Sequence, residues 1–185
     1  MSTPHLSVRE LTSKDIDDIV NYWLHSDHDF LEGMGVDLKK IPSENDLRSM
    51  LSSQLTQDYQ NKSSYCTIWE LDGKPVGHCN VNKIEFGKEA YMHLHLWHGE
   101  IRKKGAGSNL VRMSLPYFFK NLQLQRVLSE PYALNPAPNK TLPKAGFRFV
   151  RSYTCIPGSL NFEQQVNLWE ITRDEFMAHL TDTKD

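Results

Sequence analysis

The sequence predicts a mixed α+β fold, and three observations carry that prediction. Runs such as Tyr91-Met92-His93-Leu94-His95-Leu96-Trp97 alternate polar and apolar residues with the period of two that a strand requires. Elsewhere apolar residues recur at helical spacing, as at Leu110, Val111, Leu115, Phe118 and Leu122. Between these two stretches lies Arg102-Lys103-Lys104-Gly105-Ala106-Gly107, a basic turn rich in glycine. Periodicity by itself reaches no further than this class.

Leu6 to Leu11 is a short alternating strand. Thr12-Ser13-Lys14-Asp15 opens a helix with a hydroxyl cap and an early acid, and Ile16, Ile19, Val20 and Trp23 form its stripe. His25 to Lys40 is less regular. Ser43-Glu44-Asn45-Asp46 opens a second helix carrying Leu47, Met50, Leu51 and Leu55. Tyr65–Leu71 and Pro75–Ile84 are strands joined by the hairpin turn Asp72-Gly73, and the histidine-bearing strand from Ala90 completes a meander. After the helix from Gly107 come a strand at Arg126-Val127-Leu128 and a short helix after Asn135. That helix is expected to be irregular because of Pro136, Pro138 and Pro143. Strands over Phe147–Tyr153 and Gln164–Thr172 close the chain as a pair.

At 185 residues, 39% hydrophobic and 24% charged, the chain is expected to fold as one domain over 1–185, since two would leave each a thin core. A net charge of -2 gives no overall footprint for nucleic acid. No apolar run has the length of a membrane span or of a signal-peptide core. Cys66, Cys79 and Cys155 are odd in number and lack a CxxC spacing, which points to reduced thiols and a cytoplasmic location. A monomer or homodimer is expected.

The strand, glycine turn and helix make an anion site. Glycines let the main chain approach closely, and the first amides of the helix, with its dipole, favour negative charge. A third glycine for a dinucleotide fingerprint is missing at Leu110, and Ala106-Gly107-Ser108 lacks the lysine of a P-loop. The segment resembles the Arg/Gln-x-x-Gly-x-Gly/Ala signature of the GCN5-related N-acetyltransferases (GNAT). A second match follows: a strand ending in Asn135, a short helix, then Lys144-Ala145-Gly146-Phe147, which resembles the closing motif of that family. The order β-α-α-β-β-β-α-β-α-β-β also resembles the family's, with a central, mostly antiparallel sheet flanked by helices.

The resemblance implies that acetyl-CoA is the co-substrate. Main-chain amides over Arg102, Lys103, Lys104, Gly105, Ala106 and Gly107 would hold its pyrophosphate, with Ser108 adding a hydroxyl. Asn135 would contact the pantetheine arm or cap a helix, Asn139 would reach the nucleotide end, and the amide of Leu96 would face the oxyanion. Many family members protonate the leaving thiolate with a Tyr four residues before the Gly of the closing motif. Here Leu142 stands there, so Tyr132 is the substitute candidate, or the thiolate leaves unassisted.

Acyl transfer to an amine needs a base, and histidine has a suitable pKa. His93 and His95 point to one face of their strand, with Met92, Leu94 and Leu96 on the other. His78, Asn80 and Asn82 form a similar row on the preceding strand, and the two rows can line one pocket. His93 ranks first as base, His95 second and His78 third; a polar strand residue touching water is the plain alternative for each. His78 and Asn80 are also candidates to contact the substrate. Gly77-His78-Cys79, Glu130-Pro131 and Asn135 resemble siderophore-biosynthesis and aminoglycoside acetyltransferases, and the ribosomal-protein acetyltransferases are a further related subgroup. The segment from His28 to Asp37 is expected to be an adaptable lid, with Asp29, Glu32 and Asp37 attracting a cationic amine. No metal is expected. The acceptor is a small-molecule or peptide amine, and a non-catalytic acyl-CoA-binding module is the alternative.

Overall fold

The computed structural model describes residues 5–99 and 106–182. Its elements run β1 (Leu6–Glu10), α1 (Ile16–His25), α2 (His28–Gly33), α3 (Glu44–Thr56), β2 (Ser64–Leu71), β3 (Lys74–Glu85) and β4 (Glu89–Leu96). They continue with α4 (Gly107–Asn121), β5 (Arg126–Ser129), α5 (Pro136–Lys144), β6 (Arg148–Cys155), β7 (Gln164–Thr172) and α6 (Arg173–Asp182). The expected order is present with two additions, the short α2 and the terminal α6. The strands form one sheet in the order β1-β2-β3-β4-β5-β7-β6. The β4–β5 pairing is parallel and the other described pairings are antiparallel. Among the described residues, no helix is long and apolar enough to cross a membrane.

Local chemistry explains the ends of these elements. Asp15 closes on the start of α1: its Oδ2 accepts from both the N–H and the hydroxyl of Thr12 at 2.8 Å, while Arg9 donates two bonds of 2.7 Å to the same carboxylate. Those guanidinium and Thr12 bonds hold the Asp15 carboxyl below its ordinary value against the opposing effect of burial, the largest single influence. The α5 helix survives its prolines because Pro136 and Pro138 fall in the first turn, where N–H groups have no intrahelical acceptor. Pro143 sits next to the end of the helix and removes one bond. The α6 helix begins with a reciprocal cap: Thr172 N–H donates to Glu175 Oε2 at 2.7 Å, and Glu175 N–H donates to Thr172 Oγ1 at 3.2 Å. Phe176 then stacks on Phe119.

Strand alternation splits β2, β3 and β4 into two faces. Tyr65, Trp69, Cys79, Val81 and Met92 join Leu110, Leu115 and Phe118 of α4 in the main core. Thr67, Trp69 and Ser114 satisfy one another there: Trp69 Nε1 donates to Ser114 Oγ at 2.8 Å, and Ser114 Oγ donates to Leu110 O at 2.9 Å. The opposite face carries Cys66, Ile68, His78, Asn80, His93 and His95. There Leu11, Ile19, Cys66 and Ile68 make a second small core, and Ile16, Val20 and Leu47 pack α1 against α3.

Candidate active site

The parallel strands β4 and β5 pair only at their beginnings, Glu89–Tyr91 against Arg126–Leu128. Beyond that point β4 continues to Leu96 beside β3 while β5 gives way to Glu130–Asn135, and a gap opens between them. Trp97 N–H donates to Val76 O at 2.9 Å, so the odd positions of β4 bond to β3. The amides of Leu94 and Leu96 therefore turn toward the gap. Gly77 lets β3 and β4 approach here, since a Cβ would lie 2.4 Å from the carbonyl oxygen of His95. A parallel β4–β5 pair also fixes the start of α4. That helix must return antiparallel to the strands, so it begins at the end of the sheet where the gap lies.

A cavity of about 400 Å³ lies on the second face and reaches this gap. Its floor is the pair of polar rows expected from alternation, with His78 opposite His95 and Asn80 opposite His93. Three environments separate the histidines. His78 is 3% exposed, and its Nδ1 lies 2.8 Å from the indole N–H of Trp97. Indole only donates, so that lone pair is occupied. Burial, followed by repulsion from His93, pushes the His78 imidazole down to about 3. His95 stacks on His78 with centroids 4.5 Å apart, and its Nδ1 is 3.2 Å from the Tyr22 hydroxyl. His93 Nε2 lies 3.1 Å from Asn82 Oδ1. An amide oxygen accepts, so this contact puts the proton on Nε2 and leaves the Nδ1 lone pair for other work. Burial and then Lys83 push His93 down to about 4, so it is neutral at pH 7.

Glu130 is the residue that sequence reasoning passed over. It lines the cavity with a side chain 7% exposed; Tyr153 donates its hydroxyl to Oε1, and Lys83 Nζ lies 3.8 Å from Oε2. Lys83 also sits 4.8 Å from the Tyr91 ring centroid and occupies a bulge with φ of 47°. Burial raises the Glu130 carboxyl, opposed by Lys83 and Arg151. Its signal in the sequence is a carboxylate directly after the short strand Arg126–Ser129, which also belongs to the Glu130-Pro131 motif.

The outer wall differs from expectation. Asp29 and Glu32 are exposed on α2 and do not line the cavity, because Leu31 turns that helix's other side inward. Asp37 caps a single 3₁₀ turn, accepting from Lys39 N–H at 3.1 Å. The wall is instead apolar, made by Met34 and Val36. Nor is it loosely held. Gln164 Nε2 and Asn161 Nδ2 both donate to Gly35 O at 2.8 Å, and Val36 forms a β-bridge with Asn161. Gly35 has φ of 87°, and a Cβ there would lie 2.1 Å from Gln164 Oε1.

Cys66 also lines the cavity, and burial pushes its thiol well above its ordinary value, which suppresses the thiolate a covalent route would need. Tyr132 lines the same space, its ring edge-on to Phe162 at 5.7 Å, and its hydroxyl has no hydrogen-bond partner among the described residues.

A family model described as "Acetyltransferase (GNAT) domain" matches residues 5–148. The chain belongs to the GNAT acetyltransferase family. No curated protein sequence matches it. Among solved structures, a spermidine N-acetyltransferase from Vibrio cholerae in complex with CoA and spermine is similar at 16% identity and a TM-score of 0.74, covering 93% of this chain and 98% of that one. The ribosomal L7/L12 alpha-N-protein acetyltransferase RimL in complex with coenzyme A has 16% identity and a TM-score of 0.74, covering 94% and 97%. The aminoglycoside acetyltransferase AAC(6')-Ib in complex with coenzyme A has 19% identity and a TM-score of 0.70, covering 94% and 98%. At these identities the likeness establishes the GNAT fold.

Several family positions can be placed. Arg102, Lys103, Lys104 and Gly105 lie outside the described residues. Ala106 precedes α4, Leu110 N–H makes the first helical bond to Ala106 O at 3.0 Å, and the amides of Gly107 and Ser108 fall in the donor-rich first turn. Gly107 stands close to Thr141 of α5. Asn135 caps α5, accepting from Ala137 N–H at 3.2 Å, and it also lines the cavity. Asn139 departs from expectation. Its amide donates to Tyr132 O and Asn135 O and accepts from Asn167 Nδ2 and Trp169 Nε1. Both protons and both lone pairs are used in tying α5 to β7, which leaves none for a nucleotide. Leu142 is fully buried in the main core, so no proton donor stands at that family position.

Proposed function

We propose that the protein transfers the acetyl group of acetyl-CoA directly to a primary amine of a small molecule or peptide within a ternary complex. The observation that carries this reading is a histidine-floored cavity opening into the gap between β4 and β5 of a GNAT fold. The pantetheine arm fits that gap, and the first amides of α4 suit the pyrophosphate. The amine nitrogen attacks the thioester carbon, the C–S bond breaks, and the amine's proton passes to His93 Nδ1 and on to solvent. Amides of β4 near Leu96 face the carbonyl oxygen as it gains charge. The departing sulfur takes a proton from Tyr132 or leaves as thiolate, since a thiol's ordinary pKa is about 8.5. His78 and Asn80 shape the floor under the amine. A cytoplasmic setting suits the free thiols of Cys66, Cys79 and Cys155.

Acetyl-CoA at about 100 times its dissociation constant should stabilise the fold by about 2.7 kcal/mol. For a chain of this size the melting temperature should rise by roughly 5–11 °C. Adding a suitable amine should then release free CoA, seen with a thiol reagent. Absence of a melting shift at millimolar acetyl-CoA would overturn the reading.

A further inference from the structure

The cavity has an uneven distribution of charge that bears on its acceptor. Among the described residues lining it, Glu130 is the sole Asp, Glu, Lys or Arg. Lys83 lies 3.8 Å from that carboxylate, so part of its charge is already answered. Opposite the floor the lining is uncharged and largely apolar: Ile19 and Trp23 of α1 and Leu47 and Leu51 of α3, with Met34 and Val36 closing the side. Ser53, Gln54, Ser63 and Ser64 add only neutral polar groups.

An ammonium group leaving water needs a counter-charge or several acceptors. The floor can provide this once, through Glu130 and the side chains of Asn80, Asn82 and His93. A second or third ammonium on the same molecule would lie against α1 and α3, where no carboxylate among the described lining residues answers its charge. An apolar body in that place gains from burial instead. The bridge between Val36 and Asn161, with Gln164 locked against Gly35, bounds the space on the third side. Part of about 400 Å³ must also hold the acetyl end of the donor, which leaves room for a compact molecule.

We infer that the acceptor is a small primary amine with a single positive charge on an apolar body of ring or branched-chain size. Its ammonium end rests on the histidine and asparagine floor near Glu130, and its body rests against α1 and α3. The inference depends on the acetyl-transfer reading above and narrows it. It also separates this chain from relatives of the same fold whose names specify spermidine or an aminoglycoside, which carry several amines each.

The test compares five acceptors with acetyl-CoA: 2-phenylethylamine, 3-methylbutylamine, spermidine, kanamycin and a tripeptide with N-terminal leucine. The kcat/KM of both apolar monoamines should exceed that of the other three by at least about tenfold, the discrimination that one unpaired buried charge or poor fit enforces. Glu130→Gln should raise KM for the monoamines about tenfold while the acetyl-CoA melting shift stays unchanged. Met50→Glu alters an exposed lining residue and so spares the core; adding a carboxylate beside the apolar end should raise kcat/KM for spermidine about tenfold. A ratio below tenfold for spermidine, kanamycin or the tripeptide overturns the inference while leaving acetyl transfer intact. If acetyl-CoA gives no melting shift, or no amine releases CoA, the acetyl-transfer reading fails and this inference falls with it.

Discussion

The two faces of β2, β3 and β4 come from the same strands and differ in what their buried polar groups have left to offer. On the α4 face, Thr67, Trp69 and Ser114 form a closed set in which the indole N–H and the serine hydroxyl both have partners. On the other face, His78 spends its Nδ1 on Trp97, while His93 and Glu130 keep hydrogen-bonding capacity beside a cavity. Both faces are helix-covered and both bury polar atoms. Burial therefore does not distinguish a site from a core; unspent donors and acceptors next to open space do.

The strongest way to break the comparison is His93→Ala. If its Nδ1 accepts the amine's proton, turnover should fall by about 10²–10⁴, while the melting shift with acetyl-CoA persists. Unchanged turnover would move the role to water or to another floor residue. Phe118→Ala tests the other face, since Phe118 is fully buried against α4's neighbours. It should cost about 3–5 kcal/mol in urea unfolding, and activity per folded molecule should be retained. A large stability loss from His93→Ala, or a catalytic loss from Phe118→Ala with the fold intact, would erase the distinction between the faces.

Acid should act through the second face. The folded pKa values of His78, about 3, and His93, about 4, lie below the ordinary histidine value near 6.5. The unfolded chain then takes up protons first as pH drops. Stability from these two rings is complete above about pH 6.5 and is lost as pH falls through that value toward 4. Between pH 7 and 5 the loss should reach up to roughly 4 kcal/mol for the pair, read from urea midpoints. A flat profile over that range would mean that both rings titrate in the folded protein as they do in the unfolded chain, so that burial does not depress them.

Much of this contrast was legible in the sequence. The alternation of Met92-His93-Leu94-His95 correctly separated core from floor, and the register of β3 on β4 brought the two polar rows together as expected. The α6 helix, absent from the expected order, has a signal of its own, because Thr172 and Glu175 are spaced as a capping pair. What could not be read is whatever depends on partners distant in sequence. Asn139 is consumed by Asn167 and Trp169, about thirty positions away. Asp29 and Glu32 read as a negatively charged lid, but α2 turns Leu31 inward and leaves them in solvent. Glu130 becomes prominent only when the other lining residues prove to be uncharged.

Asn135 offers the finest cut between structure and chemistry, because it caps α5 and also lines the cavity. Losing the cap through Asn135→Ala should cost about 0.5–2 kcal/mol, and Asn135→Ser should recover most of it, since serine accepts the same N–H bond. If capping is its whole contribution, both variants will keep the native acetyl-CoA dissociation constant. A contact to the pantetheine arm predicts a different pair of results: Asn135→Ser would restore melting but not affinity, because its shorter hydroxyl cannot reach as far into the gap. Calorimetric titration of the two variants separates these cases without reference to turnover.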